Sequence, residues 1–169
     1  MTTVGIPNYF RSYKLSDGTV VNVHIMDTSG QELFRAINEH YYKKADCCLL
    51  VYDISNRKSF EEMKYYNEQM KERCKANIKA ILLGNKADLE NKRQVPSEEA
   101  AQYSMINDYI FMETSCLENK NVADAFTTLI EITNIELKKN GIENSSLKLK
   151  RTFTKIGKSK KKCICNSEN

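Results

Sequence analysis

The sequence predicts an α/β fold: a mostly parallel central sheet flanked by helices. Three observations lead there. Residues 47–52 form an unbroken apolar run of strand length, and 78–83 form one interrupted by Lys79 alone, as expected of strands buried on both faces. Amphipathic helical patterns separate these runs, and strands alternating with helices imply parallel pairing. Near the start, Val21, Val23 and Ile25 alternate with Asn22 and His24 after the turn signal Ser16-Asp17-Gly18, so one antiparallel hairpin borders the sheet.

The elements follow in order. After the hairpin and the first apolar run, Ser59 and Glu62 have capping-box spacing before the stripe Met63, Tyr66, Met70, Cys74, which predicts a helix with one buried face. The second run, 78–83, is followed by Pro96-Ser97-Glu98-Glu99, a helix start with its proline and acidic first turn. Residues 109–112 form a weaker strand. Val122, Phe126, Leu129, Ile130 and Leu137 mark the last helix, which ends at Lys138-Lys139-Asn140-Gly141, a basic last turn followed by a left-handed cap. A boundary is drawn there: a domain at 1–141 and a tail at 142–169.

Composition narrows the class. A chain of 169 residues with 41% hydrophobic residues suffices for one core. No apolar run approaches the roughly 18 residues of a membrane span, and the start does not read as a signal peptide, so a cytosolic setting is expected. The six cysteines have no disulfide-framework or zinc-ligand spacing. The net charge of +4 is concentrated in the tail, where residues 148–162 hold eight Lys or Arg and no acid. His24 falls on the polar face of its strand and reads as a surface residue.

Ligands of open α/β sheets bind beyond the carboxyl ends of strands. Asp27-Thr28-Ser29-Gly30-Gln31-Glu32 follows the first alternating strand, Gly84-Asn85-Lys86-Ala87-Asp88 the run at 78–83, and Glu113-Thr114-Ser115-Cys116-Leu117 the weak strand. One polar cluster would be an ordinary turn. Three complementary ones on the same rim point to a binding site.

These clusters resemble the motifs of a Rab-type small GTPase of the Ras-like superfamily. Residues 27–32 resemble its DTAGQE element, Asn85-Lys-Ala-Asp88 its NKxD element, and Thr114-Ser-Cys-Leu its TSA element. The flanking text is similar too: Phe34-Arg35, Tyr41-Tyr42-Lys43, and Val51-Tyr52-Asp53-Ile54-Ser55. The resemblance implies a Ras-like G domain of the P-loop NTPase class, binding GTP or GDP with Mg²⁺ and switching between the two forms in vesicle trafficking. An Asp88 carboxylate accepts two hydrogen bonds from guanine's ring N–H and amine, a donor pair that adenine lacks. By the same resemblance Asn85 braces this loop and the Lys86 stem covers the base. Backbone N–H groups around Ser115, Cys116 and Leu117 meet the guanine oxygen. Asp27 stands near Mg²⁺ without ligating it directly, Thr3 ligates Mg²⁺ through its hydroxyl, Gly30 admits the γ-phosphate, and Gln31 orients the attacking water. The implied partners are exchange and activating factors, effectors and the geranylgeranylation machinery.

The departures are equally specific. Met26 stands where Rab proteins carry Trp, and the stretch from Gly5 to Phe10 is one residue longer than usual. Both belong to the surface that effectors read, so effector choice does not carry over. In the family a strand, a phosphate-binding loop and a helix precede the position of Thr3, which here is preceded by two residues. The pattern G-x-x-x-x-G-K-[ST] does not occur: Gly157-Lys158-Ser159 is the only Gly-Lys-Ser, and position 152 is Thr. Charge-assisted bonds contribute about 1.5–3 kcal/mol each, so lacking three or more weakens phosphate binding by roughly three to six orders of magnitude. The expectation is weak GTP binding, doubtful hydrolysis, and poor folding, because the missing strand leaves two neighbours without a ladder partner.

In the tail, Lys158-Ser-Lys-Lys-Lys162 precedes Cys163-Ile-Cys165. Prenyl groups on Cys163 and Cys165 plus basic charge would anchor the chain to anionic membrane. This places it on the cytoplasmic face of intracellular membranes, with a cytosolic pool, and is preferred over nucleic-acid binding. The alternative function is a non-hydrolysing, membrane-associated or partner-binding protein without stable nucleotide binding.

Overall fold

The computed structural model describes residues 8–28, 42–75, 78–141 and 146–153. In chain order these form β1 (Asn8–Lys14), β2 (Val20–Thr28), β3 (Cys47–Asp53), α1 (Arg57–Arg73), β4 (Lys79–Asn85), a 3-10 turn (Ala87–Lys92), α2 (Ser97–Ile106), β5 (Ile110–Thr114), α3 (Val122–Lys139) and β6 (Ser146–Phe153). The strands make one six-stranded sheet in the order β1-β2-β6-β3-β4-β5. Only β1 and β2 pair antiparallel; the other pairings are parallel.

The hairpin forms where its turn residues predict. Leu15 N–H donates to the Thr19 carbonyl at 2.8 Å, Gly18 N–H to the Leu15 carbonyl at 3.0 Å, and Thr19 N–H to the Asp17 carboxylate at 2.8 Å. Gly18 takes φ +82°, where a Cβ would be strained. Along β2 the alternation sends Val21 and Val23 into the core and leaves Asn22 exposed, while His24 stacks on Phe10 at 4.4 Å between ring centroids.

β3 is buried along its whole length, and so is β4 after its first residue. Their alternate residues feed two cores. Cys47, Leu49, Val51, Ile81 and Leu83 pack with Ala125, Leu129 and Ile130 of α3. Cys48, Leu50, Tyr52 and Leu82 pack with Phe60, Met63 and Met70 of α1 and Ala100 of α2.

Two expectations change here. The cap of α1 is Asn56, whose side chain accepts from Ser59 N–H at 3.3 Å. Ser59 is already inside the helix; its buried hydroxyl donates to the Asn56 carbonyl at 2.7 Å and accepts from Asp53 N–H at 2.9 Å. Glu62 pairs instead with Lys58 at 3.7 Å. An asparagine three residues upstream takes the capping role that Ser59 was expected to hold.

The larger change concerns the sheet centre. The two strands expected to lack a ladder partner, β2 and β3, both pair with β6. That strand comes from the segment after Gly141, so the sheet draws on residues from both sides of the boundary drawn there. Its backbone N–H and C=O groups satisfy both neighbours whatever its side chains, which is why an alternating, lysine-rich segment fills the position.

Candidate functional site

The site is built at the carboxyl ends of β3, β4 and β5, where three polar loops leave the sheet. β4 ends at Asn85, and Lys86 then turns left-handed at φ 65°, ψ 40°. A non-glycine residue in this region marks a constrained position. Leu89 N–H closes the turn on the Lys86 carbonyl at 2.8 Å. The turn projects the Lys86 ammonium back over the end of β3, where it meets the Asp53 carboxylate at 2.5 Å. Asp53 is buried, and its other oxygen accepts from Ser55 N–H at 2.9 Å and Ser55 Oγ at 2.7 Å. A buried carboxylate is tolerated because every side of it is bonded.

The loops after β4 and β5 are tied to each other. Asn85 and Thr114 are register partners, and the Thr114 hydroxyl donates to the Asn85 side-chain oxygen at 3.3 Å. The Ser115 hydroxyl donates to the Asp88 carboxylate at 2.5 Å and accepts from Glu118 N–H at 3.1 Å. Arg93 adds a clamp from the 3-10 turn to β5, with forked bonds of 2.7 and 2.9 Å to Glu113 and a bond of 2.8 Å to Glu90. This hydrogen bonding to Arg93 pulls the Glu90 carboxyl below its ordinary range. Asn121, at φ 57°, donates to the Glu113 carbonyl at 2.9 Å and opens α3.

Under the loop, Gly84 is fixed by close approach. A Cβ there would lie 2.8 Å from the Tyr52 hydroxyl and 3.1 Å from Ile54. The Tyr52 hydroxyl is buried and has no hydrogen-bond partner among the described residues; burial also raises its pKa.

The structure thus brings Asn85, Lys86, Asp88 and Ser115 together, with Cys116 half-buried and Leu117 exposed beside them. The Ser115 N–H donates to the Lys120 carbonyl at 3.1 Å, and Lys120 N–H returns a bond of 2.9 Å. The Ser115 amide is thus taken by this turn, while its hydroxyl joins the two loops. Asp27 is the last residue but one of β2, half-buried, with β6 between it and β3. Thr3, Gly30, Gln31, Cys163 and Cys165 lie outside the described residues. Among the described residues no three carboxylate, imidazole or thiol groups converge as a metal site, and no helix is long and apolar enough to cross a membrane.

The arrangement offers a carboxylate held from one side, a lysine stem held by a buried acid, and a hydroxyl joining two loops. A profile of the Ras family matches residues 1–135. The chain belongs to the Ras family. Its similarity within that family is to the Rab branch. It is 41% identical over 140 residues to Ras-related protein Rab11A of Lotus japonicus, an alignment covering 82% of this chain and 62% of the relative. Ras-related protein RABA1b of Arabidopsis thaliana is 42% identical over 139 residues, covering 82% and 64%. Ras-related protein Rab-8A of Bos taurus is 40% identical over 129 residues, covering 76% and 62%. The chain spans a little over three fifths of the length of these relatives.

In this Ras-family chain, sequence reasoning missed Asp53 and Arg93 as site residues. Asp53 was quoted only as flanking text, although it follows a strand onto the same rim. Applying the strand-end rule to β3 as well would have found it.

Proposed function

We propose that the protein acts as a Rab-type GDP/GTP switch in vesicle traffic, with guanine held by the loops after β4 and β5. The observation that carries this is the Ser115–Asp88 bond of 2.5 Å. It fixes a carboxylate from one loop against the other while using one of about four acceptor positions on the group. Guanine's ring N–H and amine would take two more. Adenine presents no such pair, and an Asp88 left without its donors opposes its binding. The Lys86 ammonium is already held by Asp53, so its methylene stem is preorganised to cover the base. The amides of Cys116 and Leu117 are assigned to the guanine oxygen, since the Ser115 amide serves the turn.

Mg²⁺ in such a site keeps several waters and takes few protein ligands. Thr3 would hold it directly and Asp27 through a coordinated water, a role compatible with a half-buried carboxylate at a strand end. Bound there, the ion neutralises phosphate charge. Gly30 is assigned to the γ-phosphate and Gln31 to positioning the hydrolytic water. Exchange factors, activating factors and effectors are the proposed protein partners. The tail, modified at Cys163 and Cys165 by the geranylgeranylation machinery, is the proposed attachment to the cytoplasmic face of intracellular membranes.

The test is competition between GDP, ADP and XDP for the full chain and for Asp88→Asn. An amide at position 88 replaces one acceptor by a donor, so the variant should lose GDP and gain XDP, whose carbonyl accepts where guanine's amine donates. Unchanged preference would remove Asp88 from the base site.

A further inference from the structure

Arg93 follows the 3-10 turn that carries Asp88, and its guanidinium is used completely. Nη1 donates to Glu113 at 2.7 Å and to the Val95 carbonyl at 3.1 Å. Nη2 donates to Glu113 at 2.9 Å and also to Glu90, and Nε donates to Glu90 at 2.8 Å. Each of the five N–H donors of an arginine thus has an acceptor. Exposed ion pairs contribute little, but the side chains of Arg93 and Glu113 are only 17% and 24% exposed. Their forked pairing fixes direction as well as distance. The next residues are pinned in turn: the N–H groups of Gln94 and Val95 donate to the Ile54 carbonyl at 2.8 and 3.1 Å. One side chain therefore joins the loop after β3, the turn after β4 and the end of β5.

We propose that Arg93 is a positioning residue for base specificity: by locking the turn to β5 it aims the Asp88 carboxylate at guanine's exocyclic amine as well as its ring N–H. The bond between Asp88 and Ser115 Oγ is a single contact, about which a carboxylate can swing. Arg93 stands five residues after Asp88 and Glu113 two before Ser115, so their fork is a second link between the same two loops. Two separated links hold a direction that one does not. Direction matters most for an acceptor that must meet two donors at once, because hydrogen bonds weaken steeply when misaligned. The proposal rests on the guanine reading given above.

Competition among GDP, IDP and ADP for the full chain tests it, inosine diphosphate being GDP without the amine. The unaltered chain should prefer GDP to IDP about tenfold or more, the effect of one hydrogen bond to a charged group. In Arg93→Lys and in Arg93→Ala that ratio should fall about threefold or more, with GDP still preferred to ADP. Lysine keeps the charge but lacks the planar fork, so a role of charge alone leaves the ratio intact in that variant. Asn56→Ala, which removes the α1 cap far from the base loops, is the control for lost stability and should keep the ratio of the unaltered chain. An unchanged ratio in either Arg93 variant overturns the proposal, whatever happens to the melting temperature. An equal fall in Asn56→Ala overturns it too, by assigning the effect to stability. Preference for GDP over ADP without preference over IDP leaves the guanine reading standing and overturns the role of Arg93. No preference for GDP over either nucleotide overturns both.

Discussion

At Asp88 the proposed base specificity rests on the chemistry of one side chain. Its carboxylate is oriented by Ser115 Oγ at 2.5 Å, so Ser115→Ala should weaken GDP binding while leaving guanine preferred over adenine, measurable by competition titration. Gly84 works through space instead. Gly84→Ala drives a Cβ to 2.8 Å from the Tyr52 hydroxyl, and overpacking of this kind costs about 1–3 kcal/mol. Tyr52→Phe removes that oxygen, which has no bond among the described residues, and should leave stability unchanged or raise it by about 1 kcal/mol. Combined with Gly84→Ala, it should recover part of the loss in urea unfolding. That Asn85, Lys86, Asp88 and Ser115 share one rim was legible in the sequence, because polar residues just past apolar runs are visible without coordinates. The pairing of Lys86 with Asp53 was not visible, since it depends on β3 and β4 being sheet neighbours. The engagement of the Ser115 amide by the local turn to Lys120 was equally hidden.

At the scale of elements, the strands and helices of 8–28, 47–75 and 78–141 follow the sequence pattern, and of the three described α-helices α1 alone has a side-chain cap at its start. Asn56 rather than Ser59 starts α1, and Ser59 is drawn down to the end of β3 by its bonds to Asp53 and Asn56. Asn56→Ala should therefore destabilise the protein by about 1 kcal/mol, whereas Glu62→Ala should have little effect, contrary to a capping box at Ser59. Thermal unfolding of the two variants separates these outcomes. β6 was not legible as a strand. Its charges suit a solvated tail, yet its backbone pairs with both β2 and β3.

Across the whole molecule, ion pairs bind separate elements into one unit that responds to acid. Hydrogen bonding to Arg57 lowers the Glu99 carboxyl, and Arg93 does the same to Glu90. A carboxylate depressed in the folded state stabilises it above the unfolded carboxylate range and loses that effect as pH falls through the folded value. The melting temperature should hold above about pH 5 and fall below it, with a shallower fall in Glu99→Gln. Burial raises the Cys47 thiol, so this residue should resist alkylation until the sheet opens. The same sheet holds the loops after β4 and β5 in register, and the functional account depends on that rigidity. Its most direct test is calorimetric titration of the full chain with GDP and with ADP, each in Mg²⁺ buffer. The expected result is binding of GDP, no measurable binding of ADP, and loss of the GDP signal in Asp88→Asn. Equal binding of the two nucleotides, or none of GDP, would contradict a guanine site at this rim.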